Sequence, residues 1–521
     1  MKVQSAVVLV IALFFAGCSP NPIPAAQTQE SEPGQTNNNP SASQPTPTPG
    51  SDIAPTQIHE GLNPLTGLTV PDASLLELPA MLVSISTFPV TARPQAGLSF
   101  APFVFEIYIT EGTTRYLTTF YGEFPAPEVP LTGDCDVRRE PFELTDLILG
   151  SRVWLDANQS GKQDDYERGA GGVCVNLYDE DLNLLKQTAT DSNGYYGFNV
   201  STGRYSVAFA KPDGTEFTQK NIGVEEKDSD VDQATGWAEA LDVTSTLLSV
   251  DEGLIPSPGF TPTSELPPAQ VGPVRSGRLV YADIADFFKG SCLIYAFASA
   301  EVLVELPKCA FVDHNIQGGG YMLDIDELTR LAEDRRDPGV PAVYVSNIFS
   351  DNPPDGGMPA SKVYLHIAWL NETGWYYDSL SESYWRYVDE STPERVGILH
   401  PEIDRLTGRQ LQFENVIVLF AQHDVISPTN LDIHLEQDWL GDALLFRDGK
   451  MYKIRWSTVA SEEELQTGIR KPIKFYFPDE TTLFPLKPGH TWVSIVTPTT
   501  TLKETRPAEW WVQFSQPPGA K

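Results

Sequence analysis

Short apolar runs alternate with polar residues between positions 146 and 248, and turns rich in Gly, Asn and Asp separate them. The clearest runs are 149–155, 173–178, 195–198 and 205–209. A period of two places successive side chains on opposite faces of a strand, and closely spaced turn residues are typical of antiparallel sheets. The pattern predicts a small β-sandwich over residues 146–248.

The chain on either side of this segment carries less regular elements. Residues 324–335 combine helical spacing of apolar positions with strong helix formers, whereas 363–369, 416–420 and 492–496 have the composition of strands. These patterns predict a fold that contains more strand than helix.

The first eighteen residues have the layout of an export signal. Lys2 precedes an apolar run, 6–15, that is too short to span a bilayer as a permanent helix. Phe15-Ala16-Gly17-Cys18 closes the run and resembles the bacterial lipobox. We therefore predict a signal peptide over 1–17 and a lipid on Cys18 that anchors the chain to the extracytoplasmic face of the cell membrane. The alternative is an ordinary secretory signal with an incidental cysteine.

The composition of the next segment argues against a folded structure there. Residues 18–58 are rich in Pro, Ser, Thr, Gln, Asn and Gly, so they cannot bury enough apolar surface to order themselves, and they predict a disordered tether. No later segment is long and apolar enough to predict a second membrane span. A formal net charge of −34 argues against nucleic-acid partners, which require basic faces, and suits an extracellular acidic protein.

Four cysteines follow Cys18, and in an oxidising compartment they allow three pairings. We favour Cys292–Cys309 and Cys135–Cys174, because each pair lies in or beside one predicted unit. Unpaired buried thiols are the alternative.

Oxygen-bearing residues follow the first predicted strand of the sandwich at the spacing of a calcium loop. Asp156, Asn158, Ser160 and Glu167 occupy loop positions 1, 3, 5 and 12, with Gly161 at position 6. Calcium takes six to eight oxygen ligands, and the glycine permits the sharp turn. Further candidate ligands of the same kind are Asp164, Asp191, Asn193, Asp228, Asp230 and Asp232. For each loop the alternative is a solvated turn.

The same segment resembles the B repeat of serine-aspartate-repeat surface proteins. The matching stretches are 150–158, 172–177, 190–198, 203–205 and 228–232. The resemblance implies an immunoglobulin-like, calcium-stabilised module that serves as a spacer or recognition unit, and it implies no catalysis.

The flanking segments resemble the YerB-like lipoproteins, a family built on a domain of unknown function. The motifs that carry this resemblance are 63–67, 92–99, 105–117, 271–278, 415–419 and 488–492. It implies an α+β fold, mostly β, in which a layered YerB-like mixed α/β domain is interrupted by the immunoglobulin-like sandwich. The implied segments are an N-terminal domain (60–124 and 268–350), a C-terminal domain (360–497) and a tail (498–521).

The charged members of these motifs define a candidate site. Arg93, Arg115, Arg275 and Arg278 could bind an anionic or sugar-like ligand bidentately. As an alternative, Glu106 and Glu111 could act as acid or base beside Arg275 and Arg278. The competing interpretation is an ion-pair network that joins two β-layers. The polar residues Asp378, Arg386, His400 and Asp404 are interpreted as structural.

Two functions fit these observations. The first is a non-enzymatic envelope protein that binds cell-wall material or a surface protein. The second is an enzyme that acts on cell-wall glycan or peptide through the Arg/Glu cluster. A cleft that gathers Glu106, Glu111, Arg275 and Arg278 would favour the enzyme, whereas burial of these groups in ion pairs would favour the binder. A third, simpler interpretation makes the sandwich only a stalk.

Overall fold

The computed structural model describes residues 61–128, 139–143, 146–257, 266–307, 309–311, 321–337, 339, 344–390, 392 and 397–520. The predicted signal peptide, the tether and Cys18 therefore lie outside the described residues, as does Cys135. No helix in the described ranges is long and apolar enough to cross a membrane.

The first flanking segment supplies three strands. They are β1 (Met81–Ser86), β2 (Phe103–Thr110) and β3 (Thr113–Phe120), accompanied by 3₁₀ helices Ala73–Glu77, Val90–Ala92 and Leu98–Phe100. Strands β2 and β3 form a hairpin whose turn, Glu111-Gly112, has positive φ angles of 50° and 75°. A Cβ at Gly112 would lie 2.5 Å from the Cβ of Ala368, so glycine permits a close approach between this hairpin and a later one.

The predicted sandwich is confirmed. Its strands are β4 (Ile148–Leu155), β5 (Cys174–Tyr178), β6 (Leu184–Ala189), β7 (Tyr195–Asn199), β8 (Gly203–Phe209), β9 (Thr215–Phe217), β10 (Trp237–Val243) and β11 (Glu252–Pro256). They form two four-stranded sheets, in the orders β10-β8-β5-β6 and β7-β4-β11-β9. Inward-facing side chains such as Val153, Tyr196 and Leu254 fill the space between the sheets. The predicted end at residue 248 is wrong, because β11 pairs with β4 and contributes the fully buried Leu254 to this core.

The second flanking segment is mixed. It contains β12 (Gln270–Val274), α1 (Val280–Phe287), β13 (Cys292–Tyr295), α2 (Ala300–Glu305), β14 (Ala310–Phe311), β15 (Tyr321–Asp324) and α3 (Ile325–Asp334). Helix α3 confirms the helix predicted over 324–335, with Leu328 and Ala332 buried on one face. A disulfide joins Cys292 to Cys309 with a Cα–Cα distance of 5.3 Å, as favoured from the sequence.

The C-terminal part is almost entirely strand. Its elements are β16 (Met358–Pro359), β17 (Lys362–Ala368), β18 (Asn371–Asp378), β19 (Ser383–Asp389), β20 (Leu399–Pro401), β21 (Gln412–Phe413), β22 (Asn415–Phe420), β23 (His423–Ser427), β24 (Asn430–Ile433), β25 (Leu440–Arg447), β26 (Lys450–Ser457), α4 (Glu462–Thr467), β27 (Lys474–Tyr476), β28 (Thr491–Val496), β29 (Thr501–Arg506) and β30 (Glu509–Gln513). The three strands predicted at 363–369, 416–420 and 492–496 are confirmed as β17, β22 and β28.

One sheet joins the flanking segments. Its main path runs β14-β13-β1-β3-β2-β28-β22-β25-β26-β16, and β2 pairs in parallel with β28. A second sheet follows the order β20-β19-β18-β17-β30-β29. The predicted tail at 498–521 is therefore wrong over β29 and β30, because Trp510 and Val512 face inward and β30 pairs with β17.

Arg139 fixes the sandwich to the C-terminal part. Its guanidinium donates to both carboxylate oxygens of Asp378, each at 2.8 Å, and to Asp191 of the sandwich at 2.9 Å. The side chain is 3% exposed and also lies over the ring of Trp385. The sandwich is thus held by a buried ionic contact and not only by its two chain connections.

Candidate functional site

In the predicted calcium loop, the first and last carboxylates accept hydrogen bonds from backbone amides of the loop itself. Asp156 is fully buried, and its two carboxylate oxygens accept hydrogen bonds from the amides of Ser160 (2.9 Å) and Gly161 (3.0 Å). The oxygens of Glu167 accept from the amides of Ala157 (3.0 Å) and Asp164 (3.1 Å). The first and last carboxylates of the loop therefore both point inward, where a cation in a loop of this kind is bound.

A second group of carboxylates lies beside this loop. One oxygen atom each of Glu225, Asp228 and Asp230 falls within 4.8 Å of the others. The amide of Asp251 donates to Asp230 at 2.9 Å, and the hydroxyl of Ser229 donates to Glu252 at 3.2 Å. Five acidic side chains from two stretches of chain thus share one part of the sandwich.

The electrostatics of this acidic cluster suit a cation. Burial, together with Glu225 and Asp228, raises the pKa of Asp230 to about 6. Burial and the neighbouring Asp230 raise the pKa of Asp251 to about 8, despite hydrogen bonds that act in the other direction. The buried Oδ1 of Asp228 and Oε1 of Glu252 have no hydrogen-bond partner. Uncompensated carboxylate oxygens of this kind are the ligands that a hard cation such as calcium takes.

The loop and the cluster are in contact. The amide of Gln163 donates to the carbonyl of Lys227 at 2.8 Å, and Lys162 pairs with Asp228 in an isolated bridge. The hydroxyl of Thr218 donates to Asp156, and its amide donates to the carbonyl of Gly253 beside Glu252. The two acidic regions that the sequence predicted separately are therefore neighbours in space.

Three predicted ligands have other roles. Asp191 accepts from Arg139 and from the amides of Asn193 (2.8 Å) and Tyr195 (3.0 Å), while the side chain of Asn193 donates to the carbonyl of Gln410. Asp232 is exposed and caps the turn at Thr235. The carboxylate of Asp191 already has the guanidinium of Arg139 as its counter-charge within the interface, so the prediction of a metal site there is corrected to a docking loop.

The sequence reasoning missed Glu225, Asp251 and Glu252. Glu225 lies three residues before Asp228, in the same acidic stretch, and could have been included. Asp251 and Glu252 stand at the start of β11, whose return to the sandwich the predicted boundary at 248 had cut off.

The predicted Arg/Glu cluster divides between two faces of the main sheet. Glu106 pairs across the β2–β3 hairpin with Tyr116, whereas Arg115 pairs with Ile107. Neighbouring residues of a strand point to opposite faces, so Glu106 and Arg115 face away from each other. Glu106 is 1% exposed and accepts hydrogen bonds from Trp492 (3.1 Å) and Ser494 (3.0 Å).

On the Glu106 face, Arg386 completes a buried ionic network. Its guanidinium lies 3.6 Å from Glu106, pairs with Glu402 and donates to the hydroxyl of Tyr116 at 2.9 Å. Burial by itself would lower the pKa of Arg386, but Tyr116, Glu402 and Glu106 together raise it. This arrangement makes Glu106 part of the core. The prediction that it joins the arginines in a catalytic cluster is corrected for that reason.

On the opposite face, three arginines come together. Arg115 interacts electrostatically with both Arg275 and Arg278, and all three pKa values are lowered by burial. Arg93 and Arg115 line the same cavity as Arg278, whose volume is about 490 Å³. Glu111 is exposed at the rim of that cavity, in the β2–β3 turn. The structure therefore keeps the predicted arginine set together and removes Glu106 from it.

Besides Arg386, two more of the residues interpreted as structural have clear architectural contacts. Asp378 receives Arg139, whose charge and hydrogen bonds hold the pKa of this carboxyl below its usual value against the opposing effect of burial. Asp404 is fully buried and accepts from the amides of Gly97 and Ser99, each at 2.9 Å for its closest oxygen.

Comparison with known families divides the chain at similar places. Residues 147–254 match the family model of the SdrD B-like domain. Residues 363–493 match the model of the C-terminal domain of the protein of unknown function DUF3048. The chain thus contains one segment similar to the SdrD B-like domain, called the B-like domain below, and one similar to the DUF3048 C-terminal domain. In the B-like domain the match ends within β11, in agreement with the extended boundary of the sandwich.

Relatives of the B-like domain are much longer proteins. It is 46% identical over 84 residues to serine-aspartate repeat-containing protein F of Staphylococcus epidermidis. The aligned stretch covers 16% of this chain and 5% of that protein. It is 45% identical over 83 residues to serine-aspartate repeat-containing protein C of Staphylococcus aureus strain MRSA252. That alignment covers 16% of this chain and 9% of that protein. The chain thus spans less than a tenth of the length of either relative.

Among solved structures, the chain matches the YerB protein from Bacillus subtilis. The alignment covers 84% of this chain and 96% of that one, at 16% sequence identity and a TM-score of 0.43.

Proposed function

We propose that this chain is a non-enzymatic binding protein of the bacterial cell surface, anchored through a lipid on Cys18 and carrying a calcium-stabilised B-like domain. The similarity of the B-like domain to two serine-aspartate repeat-containing proteins supports the surface role. The partner is cell-wall material or another surface protein. Labelling of cells with a radioactive fatty acid tests the anchor, because Cys18→Ser would abolish incorporation of the label.

The observation that carries the calcium proposal is the pair of buried carboxylate oxygens without a partner, on Asp228 and Glu252. Glu225, Asp228 and Asp230 would hold one ion, with Asp251 and Glu252 beside them. Asp156, Asn158, Ser160 and Glu167 would hold another in the adjoining loop. Bound calcium would neutralise carboxylates that otherwise repel one another, and would thereby stiffen the B-like domain.

Calorimetric titration of the full chain, carrying Cys18→Ser for handling, tests this proposal. We expect heat of binding and a rise in melting temperature, equivalent to about 2.7 kcal/mol when calcium is at a hundred times its dissociation constant. The double change Asp228→Asn with Asp230→Asn should weaken binding at least about tenfold by removing two charged ligands. Asp232→Asn is the matched control, since that exposed side chain only caps a turn. Unchanged melting temperature and no heat with calcium would contradict the proposal.

The burial of Glu106 supports the binder over the enzyme. The enzymatic alternative needs Glu106 in one cleft with Glu111, Arg275 and Arg278, but Glu106 lies in the core beside Arg386 and Trp492. Among the described residues that line the cavity of Arg93, Arg115 and Arg278, Glu111 is the only acidic side chain, and it is exposed.

A further inference from the structure

A cavity of about 490 Å³ lies where the two flanking parts of the chain meet. Its walls come from the loop after β1, the β2–β3 hairpin and the turn between β17 and β18. The side chain of Asn371 donates to the carbonyl of Gly112 at 2.9 Å and ties the two hairpins together. Cavities at such junctions are common places for ligand binding, because both sides contribute groups.

Arg115 forms the buried wall of this cavity. It is 7% exposed, its Nη1 donates to the carbonyl of Thr114 at 3.1 Å, and its buried Nε has no hydrogen-bond partner. Burial and the proximity of Arg278 and Arg275 lower its pKa to about 9, only partly offset by Tyr281. A buried guanidinium normally has a carboxylate or phosphate beside it, because burial of an unpaired charge is unfavourable.

The other two arginines of the wall are also available. The Nη1 of Arg278 donates to the carbonyl of Gly277 at 3.3 Å, and that of Arg93 donates to the carbonyl of Asp389 at 2.6 Å, while the buried Nε atoms of both have no partner. Within the part of the chain that the structure describes, neither Arg115 nor Arg278 is in an ion pair. Arg93 has Asp389 at 3.9 Å. Among the described lining residues, only Glu111 is acidic, and it is exposed.

We infer that Arg93, Arg115 and Arg278 bind an oxyanion, a carboxylate or a phosphate, that is carried on a sugar-sized ligand. Guanidinium groups match the planar geometry of both anions and bind them with paired hydrogen bonds. The net charge of −34 repels anions at long range, so attraction must come from this local concentration of arginine. The inference names a ligand class for the proposed binding role, but it concerns the flanking domain and needs no calcium.

Aromatic side chains at the rim favour a ligand with a ring over a free ion. Trp369 is 61% exposed and Phe88 is 45% exposed, and both line the cavity. Large apolar side chains that stay exposed beside a polar pocket mark binding surfaces. The ligand class is therefore a sugar acid or a sugar phosphate, free or as the end of a polymer.

Calorimetry on the full chain with Cys18→Ser, in calcium-free buffer of low ionic strength, tests the site. The probes are glucose 1-phosphate, glucuronate, inorganic phosphate and glucose. We expect one site per chain for glucose 1-phosphate or glucuronate, weaker binding of inorganic phosphate and none of glucose. Arg278→Gln should weaken binding about tenfold or more, since a hydrogen bond to a charged group contributes about 1.5–3 kcal/mol. Arg115→Lys tests the buried wall with its charge kept.

The controls separate this site from other effects. Arg330→Gln removes an arginine that is paired with Glu327 and Asp334 on the surface of α3, and it should leave binding unchanged. Trp369→Ala should weaken binding of the sugar-linked anion but not of inorganic phosphate. Equal affinity for inorganic phosphate and glucose 1-phosphate would contradict the inferred contact between the sugar ring and the aromatic side chains at the rim. Absence of binding of all three anions, or binding that Arg278→Gln leaves intact, would overturn the site even if calcium binds to the B-like domain as proposed.

Discussion

Arg386 is a single residue on which two layers of the protein depend. It is fully buried, pairs with Glu106 and Glu402, and lies over the ring of Trp492 at 3.9 Å. Glu106 comes from β2 and Glu402 from the C-terminal part, so one guanidinium serves as the counter-charge of two carboxylates from distant parts of the chain. Its positive charge lowers the cost of keeping these carboxylates in the interior.

Replacement of Arg386 is expected to be severe. Arg386→Leu would leave Glu106 and Glu402 as buried carboxylates without a counter-charge, and we expect a loss of about 3–5 kcal/mol in the free energy of unfolding, measured by urea denaturation. Arg455→Leu is the matched control, because its partners Asp442 and Glu480 are both largely exposed and such pairs contribute about 0–1 kcal/mol each. If Arg386→Leu and Arg455→Leu lowered the free energy of unfolding equally, the buried network would contribute no more to stability than an exposed ion pair.

At the scale of elements, the B-like domain contacts the rest of the chain at several places. Arg139 bridges Asp191 and Asp378, and Arg168, directly after the predicted calcium loop, pairs with Glu128 at 2.6 Å. Asp165 within that loop accepts from the amide and the hydroxyl of Thr69. The loop that would hold calcium is therefore also part of the interface. A well-ordered loop should stabilise the interface, and an intact interface should stabilise the loop.

Removal of the bridge tests whether the B-like domain is held rigidly. Arg139→Gln keeps some hydrogen bonding but leaves Asp378 and Asp191 without a counter-charge, so we expect a loss of about 3 kcal/mol and faster amide exchange around Asp191 and Asp378. Hydrogen exchange read by mass spectrometry measures both regions. Arg204→Gln, which removes an exposed pair with Asp242 inside the B-like domain, should leave that exchange unchanged. If Arg139→Gln changed neither exchange nor stability, the sandwich would be attached mainly by its chain connections.

At the scale of the whole molecule, buried histidines make stability depend on pH. His423 is 6% exposed, and burial lowers its pKa from 6.5 to about 4 despite a hydrogen bond to the carbonyl of Ala421. Between these two values the unfolded chain binds a proton that the folded chain does not. The contribution of His423 is therefore complete above pH 6.5 and is lost as the pH falls towards 4.

The matching prediction compares His423→Gln with the parent chain between pH 7 and 4. Each pKa unit corresponds to about 1.4 kcal/mol, so the parent should lose roughly 3 kcal/mol more than the variant over this range. His434→Gln is the control with the opposite sign, because Asp424 and Glu436 raise the pKa of His434 against the effect of burial and stabilise its charged form at low pH. Parallel pH profiles for the parent and His423→Gln would contradict the assignment.

Local patterns could be predicted from the amino-acid sequence alone. The alternation within 149–155 and 195–198 predicted strands β4 and β7, and the helical spacing of 324–335 predicted α3, because backbone periodicity imposes these patterns on any chain that buries one face. The spacing from Asp156 to Glu167 also predicted the candidate loop, since its ligands are close in sequence. The arginine set could be found for a related reason, because Arg275 and Arg278 stand in one short motif.

Which of these groups meet depends on the tertiary structure. Pairing of β11 with β4 brings Asp251 to Asp230 and Glu252 to Ser229, and the docked sandwich turns Asp191 towards Arg139. The main sheet places Glu106 and Arg115 on opposite faces, and β30 pairs with β17 where a tail was predicted. Contacts between residues distant in the chain depend on strand order and on the packing of layers, and neither leaves a periodic signal in the sequence.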